Sequence, residues 1–448
     1  MNARDETPRA AFVKEMRAIT SLATPVAIAQ LGMMALGVVD TIMVGHLSEH
    51  ALAAVALGNS YTFSLMILGM GVLMVLDPLI AQAYGAGDSK RLSEALHRGV
   101  VLAFLLSIVF GVVFWFGEPL LEVIANSSTV VPTAHRYTQV IAFGLPAFFL
   151  FLAMKQTLQA MGSVRPVIYA VVIGNLANVF LNLGFVHGEF GLPALGAVGS
   201  GWASSICRWL MVGVIVAAAR PALASVWSRP TRAVLHPTPY GAMLTKGIQI
   251  GVQSALEVWL FTATSFLMLR ISVVAMGGHA VAMNLVSFSF MIPFGIGAAA
   301  SARVGQAIGR GDTEGARLSA KCSLLLGGSV MLVFSLVFFL FPARLAGLYT
   351  NEPDVVALAV TLLPIAAFFQ VFDGTQAVAC GILRGAGETR TPMVINLIGY
   401  WVLGLPAGLL VAFTFGLGPP GLWWGLTIGL AVCAVLLVRF IWRFLGRR

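Results

Sequence analysis

Three carboxylic acids, Asp40, Glu257 and Asp373, stand inside stretches otherwise apolar enough to cross a membrane. An acid at that depth costs about 2.5–3.5 kcal/mol on insertion scales, so it is kept only where it meets water, a counter-charge or a ligand. The chemistry open to such a group is reversible capture of a cation. The bland alternative is a structural ion pair, for which Lys155, Arg208 and Arg270 are the available partners. Asp77 carries less weight, because it precedes Pro78 near the end of its apolar run. Asn175, Asn178 and Asn182, spaced three and four apart, share one face of a helix. With Asp40, and with the hydroxyl of Ser204 from the next span, they offer the carboxylate, amide and hydroxyl oxygens that hard monovalent cations prefer. The alternative for the amides alone is helix–helix adhesion.

The elements that must position these groups are transmembrane helices. Hydrophobic residues make up 58% of the 448-residue chain, charged residues 10%, and the mean hydropathy is +0.91; a soluble domain carries roughly 25% charged residues. Apolar runs of spanning length fall near 18–45, 52–82, 94–116, 134–160, 166–186 and 195–218, then near 244–271, 280–308, 318–341, 355–383, 392–415 and 421–441. Asp40 is in the first, Glu257 in the seventh and Asp373 in the tenth. The expected fold is all-α and integral to the membrane, twelve helices in two homologous six-helix lobes. Residues 1–17 form a cytoplasmic N-terminal segment, 18–218 the first lobe, 219–243 a proline-rich cytoplasmic linker, 244–441 the second lobe and 442–448 a basic tail. Kinks are expected at Pro25, Pro146, Pro293 and Pro364. Of the 27 basic residues, 20 lie in the tails and one alternate set of loops, and only Arg136 and Arg344 in the opposite set. By the positive-inside rule both termini are cytoplasmic, and the net charge of +9 reflects topology rather than nucleic-acid binding. Cys207, Cys322, Cys380 and Cys433 stand singly, without metal-ligand spacing, and read as small core residues.

The two lobes are visible as a repeat. Gln82–Asp88 (Gln-Ala-Tyr-Gly-Ala-Gly-Asp) returns one half-chain later as Gln306–Asp312 (Gln-Ala-Ile-Gly-Arg-Gly-Asp). Arg91-Leu92-Ser93 matches Arg317-Leu318-Ser319, His50-Ala51 matches His279-Ala280, and Gly162 with Arg165 matches Gly387 with Arg390. Paired halves in a membrane chain commonly enclose a substrate site. The Gly-x-Gly-Asp copies lack the Gly-x-x-x-x-Gly-Lys-Ser/Thr pattern of a phosphate loop. They precede polar residues, so they read as turns that end one helix and cap the next. The three buried acids do not recur: by the His50–His279 offset Asp40 faces Leu269, and by the Gly162–Gly387 offset Asp373 faces Phe148.

Val39-Asp40-Thr41-Ile42-Met43-Val44-Gly45, Leu195–Ser204, Ile292–Gly305, Asp373–Gln376 with Leu383-Arg384-Gly385, and Tyr400–Pro406 together resemble the multidrug and toxic compound extrusion (MATE) transporters of the NorM type. The resemblance runs along essentially the whole chain. It implies a V-shaped, two-lobed bacterial inner-membrane exporter of cationic antibacterial compounds, acting in xenobiotic transport and antibiotic resistance by exchanging drug for Na⁺ or H⁺. It carries the family's cation sites onto Asp40, Asn178, Asn182 and Ser204 in the first lobe and Glu257 and Asp373 in the second, with Asn284 as a neighbour. Ser204 stands where relatives often have Thr, which keeps the hydroxyl but frees its rotamer.

The expected mechanism is secondary antiport by alternating access, drug and ion competing for the same negative charge. Sodium is the preferred ion, at Asp40, Asn178 and Asn182, whose neutral oxygens a proton does not need, or at Glu257 and Asp373. Tyr61, Asn175, Asn284, Phe288 and Phe369, with Phe290 and Phe368, are candidates to line the substrate cavity, the aromatics through cation–π contact. The expectation is a monomer with membrane lipids and cationic drugs as partners, and without cofactor, nucleic-acid partner or enzymatic activity. A flippase of a lipid-linked precursor is the alternative; its pyrophosphate calls for Arg and Lys, not three acids. An intramembrane hydrolase lacks its motifs, since neither His-Glu-x-x-His nor Gly-x-Ser-x-Gly occurs.

Overall fold

The computed structural model describes residues 7–446 except 126, 128 and 225, and for residue 235 the backbone alone. The described residues are helical or irregular, without a strand. In chain order the helices are α1 (Pro8–Gly45), α2 (Glu49–Leu73), α3 (Leu76–Gly85), α4 (Ser89–Trp115), α5 (Glu118–Ala125), α6 (Val130–Phe143), α7 (Leu145–Ala160), α8 (Arg165–His187) and α9 (Ala197–Ala224). The second half continues with α10 (Pro237–Ile271), α11 (Val273–Gly309), α12 (Thr313–Leu340), α13 (Pro342–Gly347), α14 (Pro353–Gly385), α15 (Arg390–Asn396), α16 (Leu405–Leu409) and α17 (Pro419–Gly446). Two π-helical stretches, Leu397–Gly404 and Leu410–Thr414, flank α16 and keep that span continuous. Eleven helical stretches are long and apolar enough to cross a membrane, and the bent pair α6–α7 makes a twelfth. The six-plus-six arrangement of spans is therefore present.

Of the four expected proline kinks, one falls at a break between two helices. α6 and α7 meet at 50° around Gly144, with Pro146 in the first turn of α7. Proline lacks the N–H that would continue the ladder, and its ring crowds the carbonyl four residues back. Pro25, Pro293 and Pro364 lie within continuous helices. The polar break between the halves is shorter than 219–243: α9 runs to Ala224 and α10 starts at Pro237.

The repeat is a repeat of structure. Asp88 caps α4 by accepting the Arg91 N–H at 2.9 Å, and Asp312 caps α12 by accepting the Gly315 N–H at 2.8 Å. The glycine before each acid holds a left-handed backbone, with φ of 70° at Gly87 and 74° at Gly311. Both Gly-x-Gly-Asp copies are thus turns. Ser48 and Ser272 cap α2 and α11 in the same way, and they stand at the same half-chain offset as Asp88 and Asp312. This offset corrects the pairing of His50 with His279: His50 aligns with Val274, and Asp40 faces Thr264 rather than Leu269. The histidines do different work, His50 meeting the Thr129 carbonyl and His279 the Ser265 hydroxyl.

The chain forms two compact units, and their borders lie inside helices rather than in the linker. One unit is Ile28–Gly251; the other joins the described residues up to Ala27 to Val252 and onward. The borders, Ala27 and Gly251, correspond to each other at the offset of the helix caps. The opening segment of each half therefore packs with the other half, so residues 18–27 and 244–251 fall outside the lobes to which their sequence position assigned them. Each handover is made by a glycine. A Cβ built on Gly71 would lie 2.1 Å from the Gly251 Cα, and one on Gly295, the counterpart of Gly71 in the second half, would lie 2.9 Å from the Ala27 nitrogen. Only a residue without a side chain permits backbones that close. Within the second unit the opening segment is further held by Glu15, whose carboxylate accepts from Arg303 Nε at 2.9 Å, from Arg303 Nη2 and from Ser319 Oγ at 2.6 Å.

Candidate cation-binding sites

The first unit gathers α1, α8 and α9 around Asp40. Asp40 lies five residues before the end of α1, and the three-and-four spacing on α8 turns Asn178 and Asn182 toward it. Both amides donate to Asp40 Oδ1, at 3.0 Å from Asn178 Nδ2 and 2.8 Å from Asn182 Nδ2. Ser204 Oγ donates to Asp40 Oδ2. Asp40 is 4% exposed, and both asparagines are fully buried. Arg208, one turn beyond Ser204 on α9, acts on Asp40 as a counter-charge while its guanidinium stands 5.2 Å over the Phe148 ring. Sequence reading therefore placed the four side chains together correctly, but the amides face the acid with their nitrogens, not their oxygens. The amide oxygens of Asn178 and Asn182 are buried without a hydrogen-bond partner. A buried acceptor left unpaired costs about 1–3 kcal/mol, which a cation at this site would recover. Rotating the Asn178 amide by half a turn presents its oxygen beside the carboxylate, whereas the Asn182 amide is also held by donating to the Asn178 carbonyl at 2.9 Å.

The same helical face carries Asn175, and there the adhesive role holds. Its amide donates to the Gly32 carbonyl of α1 at 2.9 Å and to Val171 on its own helix at 2.8 Å. Asn175 therefore fixes α8 on α1 and sets the register in which Asn178 and Asn182 meet Asp40. A further layer, not singled out in the sequence, closes the site. Tyr137 of α6, buried and electrostatically coupled to Asp40, donates to Asn59 Oδ1 at 2.8 Å.

The second unit brings Glu257 of α10 near enough to Asp373 of α14 for its charge to act on that acid. Glu257 faces Gln376, one turn beyond Asp373, and Tyr400 in the π-helical stretch. Asp373 is 2% exposed, and its Oδ1, the Gln376 amide oxygen and the Tyr400 hydroxyl all lack a hydrogen-bond partner. A half-buried acid, Glu257, thus stands beside a buried one, Asp373, among polar atoms that lack hydrogen-bond partners. An ion pair with Arg270, the bland alternative, is not among the salt bridges of the described residues. The widened turn supplies Tyr400: a π-helical stretch moves side chains off the ordinary helical stripe, which hides such a residue from periodicity. Its neighbour Trp401 ties this stretch to α10 by donating to the Leu256 carbonyl at 3.1 Å, next to Glu257. No cluster of three or more His, Cys, Asp or Glu able to hold a metal occurs among the described residues, so any cation bound here is held by acids with neutral oxygens.

The aromatic candidates divide. Tyr61 is buried against Phe114 with its hydroxyl on the Val113 carbonyl at 3.1 Å, and Phe369 is buried between Phe261 and Trp423. Both are packing residues, because burial on all sides leaves no ring face for a ligand. Phe288 and Phe368 are exposed, Phe290 is half-buried, and Asn284 is exposed with its amide on the Ala280 carbonyl. An apolar cleft of about 590 Å³ between α10 and α16, with Phe266, Arg270 and Leu405 in its wall, touches none of the acids.

This fold has known counterparts. The MatE family model matches residues 25–183 and 250–410, once in each half. The chain is 34% identical over 449 residues to Multidrug resistance protein MdtK of Pectobacterium atrosepticum, covering 98% of this chain and 97% of that protein. Its fold is that of the eukaryotic MATE transporter AtDTX14, with a TM-score of 0.89 at 24% identity over 98% of each chain. An outward-facing MATE transporter of the MOP superfamily matches with a TM-score of 0.83 at 18% identity, over 97% of this chain and 96% of that one. A MOP-superfamily transporter from Pyrococcus furiosus, described as having a binding pocket of reversed polarity, matches with a TM-score of 0.81 at 19% identity over 96% of each. Matched by the family model in both halves and by a relative along its whole length, the chain belongs to the MATE family of multi-pass membrane transporters.

Proposed function

We propose that this transporter exports cationic, amphiphilic antibacterial compounds and dyes across the bacterial inner membrane in exchange for Na⁺, or for H⁺, with both termini cytoplasmic. The observation that carries this reading is the pair of acidic sites, buried Asp40 in one unit and half-buried Glu257 with buried Asp373 in the other, each edged by oxygens without partners. A buried acid surrounded by unsatisfied acceptors is stabilised by whichever cation arrives, and sodium and a drug cation cannot occupy it together. Exchange follows, because an acid left without a counter-charge in a low-dielectric site is disfavoured. Each ligand drives the conformational change only by its differential affinity for the two states. The unpartnered amide oxygens of Asn178 and Asn182 near Asp40 favour sodium there, since a proton gains nothing from them.

Phe288, Phe368 and Asn284 are the exposed candidates for contact with a flat cationic substrate. The relative's name, Multidrug resistance protein, agrees with a broad substrate range. The test is efflux of ethidium from reconstituted vesicles, driven in turn by an imposed Na⁺ gradient and an imposed pH gradient. Efflux that follows one gradient and is abolished in Asp40→Asn supports the reading. Efflux indifferent to both gradients refutes it.

A further inference from the structure

Asn396 is a polar side chain that the exchange mechanism does not use. It is fully buried at the end of α15, and neither its amide nitrogen nor its amide oxygen has a hydrogen-bond partner. Burying an amide unpaired is costly, so such a group is kept where it meets water or an ion. The first half shows that packing does not require it. α8 and α15 both open on an arginine, Arg165 and Arg390, and at that offset Asn396 stands where α8 has Val171, and Tyr400 where it has Asn175. Val171 packs on Gly32 of α1, its Cγ1 2.4 Å from where a Cβ on that glycine would lie, and Asn175 donates to the Gly32 carbonyl. At the offset of the helix caps Gly32 corresponds to Leu256 of α10, whose carbonyl accepts from Trp401. The correspondence turns Asn396 and Tyr400 toward α10 beside Glu257, and in the first half a valine suffices at the place of Asn396.

Three helices carry polar groups one turn beyond the acid pair, all in one direction. Gln253 stands four residues before Glu257 on α10, Gln376 three residues after Asp373 on α14, and Asn396 four residues before Tyr400. α10 begins at the linker, while α14 ends and α15 begins at the loop 384–391, so each of these steps leads toward the basic face of the unit. Gln376 extends that way by donating to Cys380 Sγ at 3.6 Å, and its oxygen is left without a partner. In the opposite direction the next turns are aromatic. Phe261 follows Glu257 by four residues, Phe369 precedes Asp373 by four, and their rings stand 6.0 Å apart, with Phe369 backed by Trp423. The acids are closed by rings on one side and met by amides on the other.

We infer that Asn396, with Gln376 and Gln253, forms a polar passage by which the coupling cation leaves the acid pair toward loop 384–391, an inference that rests on the antiport reading above. Amide oxygens replace part of the water around a monovalent cation, yet carry no charge that would trap it. An ion can therefore step from the acids to Gln376 and Asn396 and on to the loop. Water held by the same amides conducts a proton, should that be the coupling ion.

Asn396→Leu keeps the volume and removes both polar atoms. In detergent it is expected to melt at or above the wild-type temperature and to release a bound cationic dye at the wild-type ion concentration, because the acids are untouched. In vesicles its ethidium efflux should fall at least about 10-fold under whichever gradient drives the wild type, and Asn396→Ser should restore most of the rate. Wild-type efflux by the leucine variant overturns the inference, as does a release midpoint that moves as far as the rate, which assigns Asn396 to the binding site instead. Should the leucine variant fail to fold, Asn396→Cys carries the test. The passage predicts that its thiol is modified by 2-aminoethyl methanethiosulfonate, counted by mass spectrometry against the wild type with its four buried cysteines; an unmodified thiol overturns it. A wild-type protein driven by neither gradient removes the antiport reading and the passage with it, whereas a driven wild type with an unimpaired leucine variant removes the passage alone.

Discussion

Replacing Asp40 by Asn tests the first site with little disturbance to its packing. In the wild type, Oδ1 accepts from Asn178 and Asn182 at 3.0 and 2.8 Å, and Oδ2 accepts from Ser204. The introduced amide has the same shape. Its oxygen can take both asparagine donors, and its NH₂ can meet the Ser204 hydroxyl, which rotates to accept. Three charge-assisted hydrogen bonds become neutral ones, a loss of roughly 1 kcal/mol each. Against this, a buried charge with a cost of about 2.5–3.5 kcal/mol at membrane depth is removed. The two effects cancel to within about 1 kcal/mol, so the melting temperature in detergent should move by only a few degrees. The cation loses far more. A unit charge at about 4 Å is worth about 4 kcal/mol at an effective dielectric constant near 20, or about three orders of magnitude in affinity. Titrating Na⁺ into protein that holds a fluorescent cationic dye, and following the dye's anisotropy, should show the midpoint for dye release moving up by about that factor. A midpoint within threefold of the wild type would refute the assignment. Loss of folding would point instead to a structural pair of Asp40 with Arg208.

The remaining predictions concern the second unit and the helix handovers. Glu257→Gln and Asp373→Asn should each insert and melt normally yet lose cation-triggered dye release; release unchanged in both would leave Asp40 as the only coupling site. Tyr400→Phe removes a hydroxyl that lacks a partner, so thermal stability should hold while the ion concentration for half-release shifts; an unchanged value would place Tyr400 outside the site. Gly71→Ala forces a methyl to within 2.1 Å of the Gly251 Cα and should cost about 1–3 kcal/mol, more than Gly295→Ala, as measured by thermal melting. Glu15→Gln keeps the Ser319 contact but strips the Arg303 ion pair, and protease sensitivity between residues 8 and 27 should rise if that pair seats the opening segment.

Much of this molecule could be read from its sequence because the membrane makes few patterns admissible. Twelve apolar runs became twelve spans, since a chain in lipid must satisfy its backbone within helices. Asp40, Asn178, Asn182 and Ser204 were legible because an acid and a row of amides are conspicuous in apolar surroundings. Tyr61 and Phe369 were misread as cavity residues for the opposite reason: an aromatic in an apolar helix looks the same whether it faces a cavity or the core. Asn175 belongs to the same stripe as Asn178, and only the Gly32 carbonyl opposite it separates adhesion from ion binding. Tyr400 escaped because a π-helical turn breaks the 3.6-residue period on which a shared face is inferred. The His50–His279 match misled because identity of residue was taken for identity of position. The serine and aspartate caps, which recur with the backbone turn itself, keep the true offset.

The handover of α1 at Ala27 and of α10 at Gly251 has a consequence for how the chain is made. When the ribosome has finished the first six spans, residues 8–27 have no seat, because the helices that receive them begin at Val252. The place for residues 237–251 beside Gly71 is likewise vacant until the seventh span emerges. The first half thus leaves the translocon with one helix half-docked and one groove open; α10 fills the groove, and the opening segment gains its seat when α11 and α12 follow. A chain cut between residues 225 and 236 would give two fragments, neither able to finish its own packing, and each holding the piece the other lacks. Two such fragments produced together should recover a folded transporter, whereas either one alone offers the membrane a glycine-lined groove with its helix missing.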